Sequence, residues 1–130
     1  MTKETAKELF CEAVSPVILG NSLAAHRQAL SLYFKYGLSS VTCGARRNLW
    51  DLLNLAATYL HVSEEGRLAL EQLTDFSDRR QDDTVLLLLP TTEADRHFIN
   101  ENRDALECRY LICDKCRIDE LPIDLPERWV

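Results

Sequence analysis

Pro16-Val17-Ile18-Leu19-Gly20-Asn21-Ser22 decides how this chain is read. A short apolar run meets Gly-Asn-Ser and passes directly into an amphipathic stretch, Leu23 to Tyr36, which Gly37 stops. An apolar run of strand length, a tight turn and a helical period spell strand, loop, helix. That is the opening unit of an α/β domain, in which ligands sit beyond the carboxyl ends of the strands.

Working outward, the helix over Leu23–Tyr36 puts Ala25, Ala29, Leu32, Tyr33 and Tyr36 on one face, with Gly37 at its C′ position. A second strand is expected over Ser40–Cys43, ended by Gly44. A second helix is expected from Arg46 to Thr58, with Leu49, Trp50, Leu53, Ala56, Ala57 and Leu60 largely buried and Arg47, Asp51, Asn54 and Thr58 as a polar row. Ser63 reads as the N-cap of a third helix burying Leu68, Leu70 and Leu73, followed by a charged connection from Ser77 to Asp83.

Val85-Leu86-Leu87-Leu88-Leu89 is the strongest strand signal, within a strand read as Thr84–Leu89. A continuous apolar run between Asp82-Asp83 and Pro90 implies a strand covered on both faces, as in a parallel sheet. Thr92-Glu93-Ala94-Asp95 has the form of a capping box opening a fourth helix. Arg109–Cys113 reads as the last strand. Ahead of these, Thr5–Val14 reads as a short leading helix ended by Ser15-Pro16. Residues 1–15, 16–113 and 114–130 thus divide into leading helix, α/β domain and a proline-containing tail.

Alternating strands and helices with right-handed crossovers build a three-layer, Rossmann-like α/β sandwich, a mostly parallel sheet of about four strands with helices on both faces. At 130 residues with 46% apolar content, the chain can bury a core of its own. Five cysteines, an odd number, fit a reducing compartment, and a cytoplasmic protein is expected. No stretch is long and apolar enough to cross a bilayer, so no membrane partner is expected. The formal charge of −6 falls on the C-terminal half, which argues against nucleic acid as a partner. An anionic ligand would prefer the N-terminal half, beside Arg46 and Arg47.

Three loops lie where such a sheet binds ligands: Gly20-Asn21-Ser22, Gly44-Ala45-Arg46-Arg47, and Pro90-Thr91-Thr92 with Asp95. The first can cradle an anion with free backbone N–H groups, or simply cap the helix. It lacks the G-x-G-x-x-G spacing for close approach to a pyrophosphate, and no cofactor is expected in this chain. Neither His26 nor His61 has a sequence neighbour that makes a catalytic pair, and no nucleophile elbow is present. No catalytic residue is assigned. Cys113-Asp114-Lys115-Cys116 with Cys108 makes a C-x4-C-x2-C pattern, one pair plus a stray where zinc commonly takes two pairs. Cys108 and Cys113 fall near the last strand, where buried cysteine packs as a small apolar group. Structural cysteines are expected, with a metal or redox centre at Cys108, Cys113 and Cys116 as the alternative.

The segment Pro16 to Cys43, with its "PVILG" strand, Tyr36-Gly37 stop and second strand, resembles the first βαβ unit of ATP-grasp ligases, and more narrowly the N-terminal part of D-aspartate ligase-like and carbamoyl-phosphate synthase-like proteins. Val85 to Asp95 and Asn100-Glu101-Asn102-Arg103-Asp104 with Leu106 are similar to the same family's strand–loop–Asp–helix and its "ENRD…L" ending. The resemblance implies a pre-ATP-grasp domain, the small unit that precedes an ATP-binding module and helps shape the acceptor-substrate pocket. By position it points to Gly20, Asn21, Ser22, Arg46 and Asp95. It implies carboxylate–amine ligation only if a missing ATP-grasp module completes the site, because residues up to Val130 carry no such module. The expectation is a non-catalytic domain that binds a small polar ligand or a partner. A structural self-association module, with Ile123, Leu125 and Trp129 covering a neighbour, is a further alternative.

Overall fold

The computed structural model describes residues 14–80 and 84–113. Five parallel strands, β1 (Val14–Leu19), β2 (Ser40–Gly44), β3 (Ala57–His61), β4 (Val85–Leu89) and β5 (Tyr110–Ile112), form one sheet in the order β3-β2-β1-β4-β5. Between them run α1 (Leu23–Tyr36), α2 (Leu49–Leu53), α3 (Gly66–Arg79), α4 (Glu93–Glu101) and α5 (Arg103–Glu107). The chain steps outward from β1 to β3, then returns past β1 to β4 and β5. Right-handed crossovers therefore place α1 and α2 on one face and α3, α4 and α5 on the other. The fold is a three-layer, Rossmann-like α/β sandwich.

The apolar run of β4 shows why the sheet is buried on both sides. Leu87 and Leu89 join Val14 and Ile18 under Ala25, Ala29 and Leu32 of α1. Leu86 and Leu88 join Val17, Leu19, Val41 and Cys43 under Leu73 of α3, Ile99 of α4 and Leu106 of α5. Successive strand residues point to opposite faces, so one strand feeds both cores. A fully buried leucine such as Leu32 or Leu73 contributes about 2 kcal/mol of apolar transfer.

The sequence expectations hold for α1, which spans Leu23–Tyr36 with Gly37 in the left-handed region at φ 70°. The Thr92/Asp95 capping box opens α4, as expected. Four expectations are corrected. Val14 opens β1 rather than ending a helix, and Pro16 sits within that strand, ahead of the first β1–β2 pair, Val17↔Val41; the rest of the expected leading helix lies outside the described residues. The expected helix over Arg46–Thr58 is only the five residues of α2, and Ala57–His61 is β3, the fifth strand. Asn54 ends α2 by accepting the N–H of Ala56 at 2.9 Å, and β3 then pairs with β2 from Ser40↔Ala57 onward. Leu49, Trp50 and Leu53 consequently lie exposed instead of buried. Finally, Glu65, not Ser63, occupies the N-cap position of α3, without a side-chain cap bond, and the helix runs on to Arg79; Ser63 Oγ accepts the Glu65 N–H at 3.1 Å, and α3 buries Ala69 with Leu73 while Leu68 is exposed.

Candidate functional site

The strand order reverses between β1 and β4, and the loops that leave these strands meet the end of β2 there. Gly20 leaves β1 at φ 107°, a conformation that L side chains rarely adopt, and a Cβ on it would stand 2.7 Å from Thr91 Oγ1. Thr91 Oγ1 uses that space to donate to Leu19 O at 2.6 Å, and it lies 3.0 Å from Asp95 Oδ2. Asp95 Oδ2 also accepts the N–H groups of Thr91 and Thr92 at 3.2 and 3.1 Å, while Thr92 Oγ1 accepts the Asp95 N–H. The β1 and β4 loops are tied together in this way.

A second set of bonds joins the β1 loop to β2 and α2. Asn21 Nδ2 donates to Arg46 O at 2.7 Å and to Asp51 Oδ2 at 2.8 Å, and Asn48 Nδ2 donates to Asn21 O at 2.7 Å. Gly44 leaves room for this: a Cβ there would stand 2.5 Å from the Asn21 side chain. Asp51 accepts the Asn48 N–H at 2.8 Å, completing the capping box of α2, and lies 3.3 Å from Thr42 Oγ1. Its other partner is His26 Nε2, at 2.8 Å from Oδ1. The His26 ring continues to Asn54, whose Nδ2 lies 3.0 Å from Nδ1. Burial pushes the Asp51 carboxyl up, but the Asn48 N–H, the Asn21 amide and His26 together hold it below the usual carboxylate value.

The residues expected from sequence thus have definite places. Gly20, Asn21, Thr91, Thr92 and Asp95 do converge at the switch point, and most of their polar atoms are engaged with one another or with the backbone. Ser22 Oγ caps α1, 3.4 Å from the Ala25 N–H. Arg46 reaches the cluster through its carbonyl, and the Arg47 guanidinium lies 5.3 Å from the centre of the Tyr59 ring. Beside the cluster, on the α3 and α4 side, a cleft of about 420 Å³ is bordered by Gly20, Asn21, Gly44, Glu64, Asp95 and Phe98. Sequence reading did not join His26, Asn48, Asp51 and Asn54. The one local signal was Asn48-x-x-Asp51, an N-cap followed by an acid at N3.

Among the described residues the cysteines do not assemble. Cys43 and Cys113 are buried and Cys108 is exposed, a correction to its expected packing. Cys108 ends α5 as its C-cap, whereas Cys113 follows β5 and packs into the core under α1. Among the described residues no group of three or more His, Cys, Asp or Glu could hold a metal ion. Cys116 lies outside the described residues. No helix among the described residues is long and apolar enough to cross a membrane.

A different surface is open. On the other side of α1, a groove of about 460 Å³ runs between α1 and α2, walled by Leu23, Leu30, Phe34, Trp50, Leu53 and Leu55. Phe34 is 78% and Leu55 96% exposed.

The strand order and the switch-point loops define an open, doubly wound parallel α/β domain. Comparison with protein-family models, with curated proteins and with solved structures finds no match to this chain, so its class rests on this geometry.

Proposed function

We propose that this chain is a pre-ATP-grasp-like domain without chemistry of its own, acting as the partner-binding piece of a carboxylate–amine ligase system. The observation that carries the binding reading is the groove between α1 and α2. Single exposed apolar residues are ordinary, but a contiguous set of leucines with Phe34 and Trp50 marks an interaction surface. The link to ligases rests on the sequence resemblance, with which a parallel α/β sandwich is compatible. The engaged switch-point loops favour a structural over a catalytic use of Asn21, Thr91 and Asp95. The ATP-grasp module that would complete such a ligase is the first partner to consider, and self-association the second.

A small polar ligand is the second reading, favoured by the cleft beside Gly20, Gly44 and Glu64 at the switch point.

Two measurements test the main reading. Calorimetry of the isolated chain with ATP and magnesium is expected to show no tight binding; tight, magnesium-dependent binding overturns the claim that it has no nucleotide site. An apolar dye such as anilinonaphthalene sulfonate is expected to bind the folded chain and to lose that binding in Phe34→Ser. A folded chain that ignores the dye has this face covered, and the partner reading falls.

A further inference from the structure

We infer that the groove between α1 and α2 docks an amphipathic helix of a partner protein whose apolar stripe is flanked by aspartate and glutamate. The inference rests on the partner-binding reading and names the chemistry of the partner.

Helix α1 carries two apolar stripes where an ordinary surface helix carries one. Ala25, Ala29 and Leu32 face the sheet. Leu23, Leu30 and Phe34, spaced by seven and four residues, form the second stripe and look into the groove. Trp50 and Leu53 of α2, with Leu55, make the opposite wall. The groove is held ready beforehand, because the His26–Asp51 and His26–Asn54 bonds tie α1 to α2 beneath it. A preformed site avoids the ordering cost that a flexible one would carry on binding.

The lining is chiefly apolar side chains, and the longer wall belongs to α1, whose mid-helix backbone groups are engaged internally. An extended peptide laid there would leave its own N–H and C=O groups unpaired against apolar side chains. A helix brings its main chain already satisfied. The α1 residues that line the groove run from Leu23 to Phe34, a length of about 16 Å and room for roughly three turns of a docked helix.

The charge around the groove selects the flanks. From Val14 to Ser63 the only acidic residue is Asp51, and its side chain is fully enclosed. The exposed charged side chains of this half are Arg27, Lys35, Arg46 and Arg47, and Arg27 lines the groove itself. One lining cation, Arg27, with no exposed acid between Val14 and Ser63, favours acidic flanks and opposes basic ones.

The test uses the full 130-residue chain with Trp129→Phe, which leaves Trp50 as the reporter tryptophan. The probe is a synthetic helix of about 18 residues with leucines at i, i+3, i+4 and i+7 and glutamate flanks. The control carries lysine flanks. The glutamate helix is expected to shift Trp50 emission and to bind at least about tenfold tighter than the lysine helix, with the preference shrinking as salt is raised. Leu53→Asp should abolish binding and Arg27→Glu should reverse the preference; both sites are exposed, and an unchanged circular dichroism spectrum confirms the fold. No binding of the glutamate helix, or equal binding of the lysine helix, overturns the inference. A doubled mass that Leu53→Asp returns to monomer overturns it in favour of a second copy. Binding that appears only when Ile123, Leu125 and Trp129 are replaced by Asp overturns it in favour of the chain's own C-terminal segment. If the helix fails while the dye still binds at Phe34, only the helix is withdrawn and the partner-binding reading stands.

Discussion

His26 Nε2 on α1 lies 2.8 Å from Asp51 Oδ1 on α2, with both side chains almost completely enclosed. Asn54 Nδ2 lies 3.0 Å from the other ring nitrogen, which assigns the ring proton to Nε2. One residue pair thereby fastens a five-residue helix, too short to hold itself in water, to the long helix beside it.

Removing one partner of this pair strands the other. Asp51→Ala leaves the Asn21, Asn48 and His26 donors without their acceptor and is expected to cost about 2 kcal/mol, measured by urea unfolding near neutral pH. The pH dependence has a definite sign. The folded carboxyl is held below its ordinary value, so its contribution is complete above about pH 4 and is lost as pH falls through the lower, folded value. The difference in urea midpoint between the unsubstituted chain and Asp51→Asn should therefore narrow on acidification. A difference that is constant or grows towards acid pH contradicts the assignment.

Gly20 is needed for two reasons that can be separated. Gly20→Ala meets Thr91 Oγ1 and places a side chain at φ 107°, and a loss of about 2 kcal/mol or more is expected. Thr91→Ala alone loses the bond to Leu19 O and should cost about 1 kcal/mol. The double variant removes the collision but keeps the backbone strain, so its loss should be smaller than the sum of the two. Strict additivity in a double-mutant cycle would show that the two residues do not collide.

The thiols should separate by burial. Burial first, and the nearby Asp95 carboxylate second, push the Cys43 thiol far above its usual range, so it carries almost no thiolate at neutral pH. In the folded chain Cys108 is expected to react with Ellman's reagent promptly, while Cys43 and Cys113 react only on unfolding. Mass mapping of the labelled cysteines checks this, and prompt labelling of Cys43 would contradict the packing of β2.

Tyr110 gives an alkaline counterpart to Asp51. Its hydroxyl donates to Leu73 O at 2.6 Å, and burial, followed by the neighbouring Cys43, pushes its ionisation upward. The folded state favours the neutral phenol. That contribution is complete below about pH 10 and is lost as pH rises and the unfolded chain gives up its proton. Tyr110→Phe should cost about 1 kcal/mol at neutral pH and flatten the alkaline fall in stability. An unchanged alkaline limb in Tyr110→Phe would remove Tyr110 as its source.

What could be read in advance was local. Val17–Leu19, the amphipathic period of Leu23–Tyr36 and the stop at Gly37 lie next to one another, and each acts on its own neighbours. The Thr92/Asp95 box spans four residues, and the leucine run of β4 carries its two-sided burial in its composition. Part of the switch-point cluster followed, because its residues cap helices or leave strand ends.

The amino-acid sequence by itself determined the alternation of strand and helix, the parallel sheet and the places where the loops meet. Only the tertiary structure decided what becomes of Arg46–His61. Leucine and alanine allow a helix there, while Thr58 and Tyr59 suit a strand, so local preference is divided. Pairing of Ala57–His61 with β2 supplies backbone hydrogen bonds that α2 gives up after Leu53. The same event turns Asp51 and Asn54 inward to His26, more than twenty residues away in the chain, and leaves Trp50 and Leu53 outside. Contacts so distant in sequence leave no periodic mark, so both the buried pair and the apolar groove above it became visible only when the chain was folded.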